Sequence, residues 1–264
     1  MDGVMDLSLL QLAAAYIFIL ILIIIVRVRG IRREKEILLA TVRMSIQLVL
    51  VGYLLVYLFD NPNPWYTLLI IAIMQIFAIY NVYKRTKHPL GSGMKKYIAY
   101  AMAIGILSSL FFFILVVLDV TPWYEPRYFI PIAGMIIGNS MTGVSLGVNN
   151  LISGFTSHKD EIEGALMLGA TPKDAARKVV NEAFDSAMLP TINSMVGMGI
   201  IFLPGMMTGQ ILSGTSPIVA VEYQIAIMLG IVGSVSLTVI LYLQMAYKSF
   251  FNERFQLVMK ENKK

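Results

Sequence analysis

Long apolar runs separated by short polar breaks set the pattern of this chain. They fall at about Leu7–Val26, Ile37–Phe59, Tyr66–Tyr83, Tyr97–Leu118, Tyr128–Phe155, Met188–Leu212 and Tyr223–Tyr247. Each is long enough to cross a hydrocarbon layer of about 30 Å as a helix. The longest polar stretch, Ser157 to Pro190, interrupts the series. Its spacing predicts two short helices joined by a tight break. Ser157 caps the first, Asp160 stands at its third position, Glu161 lies in its first turn and Gly169 ends it. Thr171 caps the second, with Pro172 at its first position and Asp174 three residues on. The second helix is amphipathic. Ala175, Ala176, Val179, Val180, Ala183, Phe184 and Ala187 share one side, while Lys173, Asp174, Arg177, Lys178, Glu182 and Asp185 take the other. Joining two spans needs only a few turn residues. A capped helical pair at that place therefore predicts a docking surface.

Charge turns the pattern into a topology. Arg27, Arg29, Arg32, Arg33 and Lys35 follow the first run. Lys84, Arg85, Lys87, Lys95 and Lys96 lie between the third and fourth. Of 21 basic residues only Arg127 falls on the opposite side. Lys and Arg concentrate on the cytosolic face. The expectation is an all-α membrane protein of seven transmembrane helices, N-terminus out and C-terminus in. Residues 1–264 are expected to form a single transmembrane domain, with the polar segment 157–188 in the cytosol. Asp2 and Asp6 precede the first run where a signal peptide would carry basic residues, so that run is expected to be retained. The tail Lys260-Glu-Asn-Lys-Lys264 is placed in the cytosol.

Composition adds exclusions. With 57% hydrophobic and 14% charged residues, the net charge of +5 reads as this cytosolic excess and not as a nucleic-acid surface. The chain has no cysteine, which removes disulfides, thiolate nucleophiles and Cys-type metal sites. His88 and His158 lie far apart without metal-ligand spacing, and no metal site is assigned. No HExxH, GxSxG or GxxxxGK[ST] occurs, so no catalytic residue is assigned and ATP is not hydrolysed by a P-loop of this chain.

The first four spans are largely aliphatic and aromatic, apart from Arg43, Gln47 and Gln75. Arg43 lies within snorkelling reach of the cytosolic end, or forms a structural pair, or serves transport. The fifth and sixth differ. Asn139, Thr142, Ser145, Asn149 and Ser153 recur every three to four residues, with Ser140 and Asn150 beside them. Gly134/Gly138 and Gly143/Gly147 are GxxxG pairs that let helices approach closely. The sixth run carries Pro190, Asn193, Ser194, Gly197, Gly199, Pro204, Gly205 and Gly209, which make it prone to kinks. Amides in lipid are costly unless they face protein or water. Two compatible readings stand: helix–helix hydrogen bonding, or a translocation path lined by Asn139, Ser140, Thr142, Ser145, Asn149, Asn150, Asn193 and Ser194. Met135, Met141, Met188, Met195, Met198, Met206 and Met207 crowd the same region, as packing residues or as soft thioether ligands.

Three stretches together carry a resemblance: Glu161-Ile-Glu-Gly-Ala-Leu-Met-Leu-Gly-Ala-Thr-Pro172 with Asp185-Ser-Ala-Met-Leu-Pro190, Gly138-Asn-Ser-Met-Thr-Gly143, and Gly205-Met-Met-Thr-Gly-Gln210. They resemble the FetB-type ABC permeases, a family associated with iron export, whose plant relatives are linked to aluminium tolerance. The polar segment is also similar to the EAA loop of binding-protein-dependent permeases. Glu163, Ala165 and Gly169 stand at matching spacing; Gly164 replaces an alanine, and Leu189-Pro190 falls late. The resemblance implies an ABC permease subunit in a bacterial inner membrane, working as a homodimer with a separate cytosolic ABC ATPase subunit that holds the ATP. No cofactor is expected on this chain itself, and membrane lipid is its other partner. Glu161, Glu163, Gly164, Ala165, Leu166, Leu168 and Gly169 are the residues expected to couple to that ATPase. The implied cargo is a metal, iron first. The alternatives are a chelated metal or nucleotide-sugar, a secondary transporter of a polar metabolite, or a non-transporting subunit.

Overall fold

The computed structural model describes residues 6–258. Asp2 and the basic tail after Met259, both used in the topology above, lie outside that range. The described residues form ten α-helices, joined by one π-turn, one 3-10 turn and loops, with no β-strand among them beyond two isolated bridges. Helices α1 (Leu9–Ala15) and α2 (Ile17–Val28) make one crossing. There follow α3 (Glu34–Asp60), α4 (Pro64–Arg85) and α5 (Ser92–Phe112), whose last turn widens into a π-turn at Phe113–Val117. Next come α6 (Pro126–Ser157), α7 (Lys159–Met167), α8 (Pro172–Gly197), α9 (Gly205–Leu212) and α10 (Pro217–Ala246).

Local chemistry starts these helices where the chain turns. Pro64, Pro126, Pro172 and Pro217 each occupy a first-turn position, where proline's missing N–H removes nothing. Asn63 accepts the Trp65 N–H at 2.9 Å, and Thr171 accepts the Asp174 N–H at 3.2 Å.

Helix α6 is the axis of the bundle and packs against α4, α5, α8 and α10. Its 32 residues make a rod of about 48 Å, longer than a hydrocarbon core of about 30 Å. Two glycines allow its close approaches: a Cβ at Gly154 would lie 2.6 Å from Val179 of α8, and one at Gly143 2.7 Å from Val235 of α10. Gly147 sits against Ala187 of α8 and Val239. The other predicted pair behaves differently, since a Cβ at Gly138 would meet nothing. Helices α1 to α3 are peripheral. Only Val26, Thr41 and Leu58 among them are buried, so most of their apolar surface faces outward.

Two expectations are corrected here. Among the described residues six helices, not seven, are long and apolar enough to cross a membrane. The expected span at 188–212 is not one helix: α8 runs from the Thr171 cap through Pro190 to Gly197, and the chain then breaks until Gly205. Pro190 does not stop α8: it lies on the exposed side, while Ala187, Met188 and Thr191 beside it in sequence are buried and hold this stretch of helix in the bundle, and the Ser194 hydroxyl bonds back to the Pro190 carbonyl at 2.9 Å. The break falls at Gly199, whose φ of +83° suits glycine, and Met198 bridges Phe202 across it. Ser157 is not the cap of α7 either. Helix α6 continues through Ser157 because Phe155 is buried, stacked on Phe250 with ring centroids 4.0 Å apart. His158 alone separates α6 from α7.

Candidate functional site

The polar segment forms a hairpin of α7 against α8. Ile162 is buried and anchors α7. The Glu161 carboxylate is the electrostatic joint. It accepts two hydrogen bonds from Lys178 Nζ, at 2.9 and 3.1 Å, and lies 3.0 Å from His158 Nδ1. The other ring nitrogen of His158 lies 3.5 Å from Glu182. The hydrogen bond from Lys178, then that from His158, holds the Glu161 carboxyl below the usual carboxylate range. The same bond raises Lys178 above the usual lysine value. Glu163 pairs more loosely with Lys159, at 3.9 Å. The two acids expected to meet an ATPase are thus already partnered within this chain.

What α7 does present is apolar. Met167 is 86% exposed and Leu168 92%. Ala165 and Leu166 are half-buried beneath them, and Gly164 has open space over its Cα. Gly169, with φ of +91°, turns the chain sharply after this tip, as its predicted stop role requires. Met167 escaped the sequence reading because a helical wheel puts it beside the polar face. Lys178 escaped it because its pairing depends on how two helices fold together, 17 residues apart.

The eight polar candidates in α6 and α8 do not share one surface. Ser140 and Ser145 are buried, and Ser140 bonds to Ser234 of α10 at 3.1 Å. Asn149 and Asn150 are half-buried, and Asn149 accepts the Lys87 N–H at 2.9 Å. Asn139, Thr142 and Asn193 are exposed on the outside of the protomer, with Ser194 partly so. Much of the amide cost is met locally: Asn139, Thr142, Ser145, Asn149 and Asn150 each donate to the carbonyl four residues back. Elsewhere, Arg43 stacks over Phe77 at 5.3 Å, which makes it a structural pair. Gln75 is buried in α4, and neither side-chain polar atom finds a partner among the described residues.

The break between α8 and α9 brings Asn193, Ser194, Met195 and Met198 close in sequence to unwound backbone. Its tip is apolar and open, with Ile200 90% exposed. Among the described residues no group of three or more His, Asp or Glu side chains could hold a metal ion. The donors available in this region are neutral oxygens and thioethers.

Residues 9–251 match the model of a family described as Uncharacterised protein family (UPF0014). The chain is 38% identical over 228 residues to the UPF0014 membrane protein YjkA of Bacillus subtilis (strain 168), covering 86% of this chain and 89% of that one. It is 36% identical over 231 residues to the Probable iron export permease protein FetB of Escherichia coli (strain K12), covering 88% and 87%. Against Protein ALUMINUM SENSITIVE 3 of Arabidopsis thaliana the figures are 34% over 250 residues, 94% and 89%. The resemblance drawn from three short stretches therefore extends over nearly the whole chain. No solved structure matches it.

Proposed function

The chain belongs to the UPF0014 family of multi-pass membrane proteins, and from that premise we propose that it is the permease subunit of an ABC transporter. It couples ATP hydrolysis on a separate cytosolic ATPase to export of a metal across the bacterial inner membrane. The observation that carries this reading is the tip of α7. Two large apolar side chains stand almost fully in the open at the end of a helix that is closed by the Gly169 turn, anchored by Ile162 and tied to α8. Burying such side chains contributes roughly 1.5–3 kcal/mol each. A groove on an ATPase lined by apolar residues is the occupant that fits. The end of the bundle that carries α7 also carries all but one of the 18 basic residues described, which supports placing it in the cytosol.

The cargo path runs between two copies of the chain. The outward position of Asn139, Thr142 and Asn193, beside the open flank of Gly138, supports this. If the broken α8–α9 segment makes a seventh crossing, its unwound backbone would fit such a path, because that backbone is tolerated at membrane depth only against protein or water. Iron enters by the resemblance to FetB. One observation favours a chelated metal over bare Fe²⁺: the absence of a His or carboxylate cluster among the described residues.

The test is reconstitution of the chain with its ATPase in lipid, with ATPase activity titrated against free and chelated Fe²⁺. Stimulation is expected, and Met167→Asp with Leu168→Asp should abolish both ATPase binding and stimulation while the chain still inserts. Glu163→Lys should lose coupling as well. Absence of any complex with the ATPase would replace this reading with a secondary transporter, to be examined by ion-gradient-driven uptake.

A further inference from the structure

A second feature of the basic end stands apart from α7. Lys173, Arg177 and Asn181 recur at four-residue steps along α8, on a face turned to the last turn of α10. With Asp174, Gln244 and Tyr247 they wall a cavity of about 390 Å³. Lys159 and Lys178, close by, are taken up in ion pairs. Lys173 and Arg177 form none among the described residues. Asp174 is the one carboxylate in the wall and accepts the Thr171 hydroxyl at 2.6 Å; it keeps its charge, and the two cations outnumber it.

Tyr247 is the more telling member. The residue is only 8% exposed overall and lines the cavity, and its hydroxyl, which is not one of the fully buried unpartnered atoms, makes no hydrogen bond to any described residue and is free to donate into that space. Ammonium, guanidinium, two carboxamides and a phenol together form a donor-rich wall, which suits a tetrahedral oxyanion. The cavity sits at the end of α10, one of the six apolar helices, immediately after buried Tyr242 and Leu243. Headgroup phosphates lie at that level of a bilayer, and acyl chains would run back along the apolar helix. Basic pockets between membrane helices at the cytosolic face bind anionic headgroups in this way.

We propose that this cavity binds the phosphate of an anionic phospholipid, with Lys173 and Arg177 as the cationic contacts and the Tyr247 hydroxyl as a further donor. The proposal stands on these residues and does not depend on the transport reading. To test it, the full chain is purified in detergent with phosphatidylglycerol and phosphatidylcholine, and bound lipid is read by native mass spectrometry. Phosphatidylglycerol should be retained in preference. Lys173→Gln with Arg177→Gln should weaken that preference by roughly tenfold or more, as expected for two cations at a charged bilayer surface. Tyr247→Phe should weaken it by a smaller factor while keeping the ring in place. Lys84→Gln with Lys96→Gln removes equal charge from the same end and should change nothing. Millimolar inorganic phosphate should not displace the lipid. Equal loss in the Lys84/Lys96 variant would overturn the proposal in favour of general surface attraction. Displacement by inorganic phosphate would overturn it in favour of a soluble-anion site, and no preference in the unaltered chain would end it. Elution volume and melting temperature of each variant identify any loss that comes from misfolding.

Discussion

At Glu161 one carboxylate receives Lys178 and His158 together, and its exposure sets how the joint responds to pH. Its pKa is lowered by these partners, so the stabilisation is present above the ordinary carboxylate value and is lost as pH falls through the lowered one. Lys178, raised, loses its contribution only as pH climbs past the usual lysine range. The α7–α8 tie is therefore expected to hold throughout the neutral range and to open in acid. Protection of the α7 amides, taken relative to their intrinsic exchange rates, should fall as the pH drops below the usual carboxylate range, and in Lys178→Ala it should already be low at neutral pH. Unchanged exchange in that variant would remove the joint from the account. A packed residue behaves differently. A Cβ on Gly105 would fall 2.8 Å from the Cα of Thr238, a backbone atom that cannot swing aside. Gly105→Ala should destabilise the chain by about 1–3 kcal/mol, read as a lowered melting temperature, whereas Gly93→Ala, with open space around it, should not.

Among elements, the α7–α8 hairpin shows what the sequence makes legible. Thr171, Pro172 and Asp174 cap α8 as their spacing predicts, and Gly169 closes α7, because capping is written in neighbouring residues. Apolar runs located α2 to α6 and α10 for the same reason: length and hydropathy are local. The break at 198–204 was not legible. Prolines 190 and 204 and four glycines compete for it, and the choice depends on the buried residues beside Pro190 and on the Met198–Phe202 bridge. The burial of Ser140 and Ser145 was hidden similarly, since a stripe has edges and only neighbouring helices decide which edge turns inward. Gly169 offers the sharpest test at this scale. At φ of +91° proline cannot be accommodated, so Gly169→Pro should unseat α7 and abolish ATPase association while α8 and the membrane helices persist by circular dichroism. Retained association would separate docking from the turn.

Across the whole molecule, the packing is lopsided. α6 is enclosed by four helices, while α1 to α3 lie at the margin and Asn139, Thr142 and Asn193 face outward. The proposed second copy would cover these three polar side chains. The chain has no cysteine, so Asn139→Cys introduces a single thiol. It should cross-link two copies in membranes under oxidation, and Leu39→Cys, exposed on peripheral α3, should not. The reverse pattern would move the interface to the margin. One further feature concerns scale itself. His158 is the single residue between α6 and α7, so any change of angle there is multiplied along α7. Leu168 lies about 15 Å of helix beyond His158, and Glu161 about 4.5 Å. A turn of about 10° would carry the apolar tip roughly 2.6 Å while shifting the Glu161 joint by only about 0.8 Å. The ion pair sits beside the fulcrum and the exposed apolar residues at the far end of the arm, so large strokes at the tip are compatible with an unbroken bond at the base.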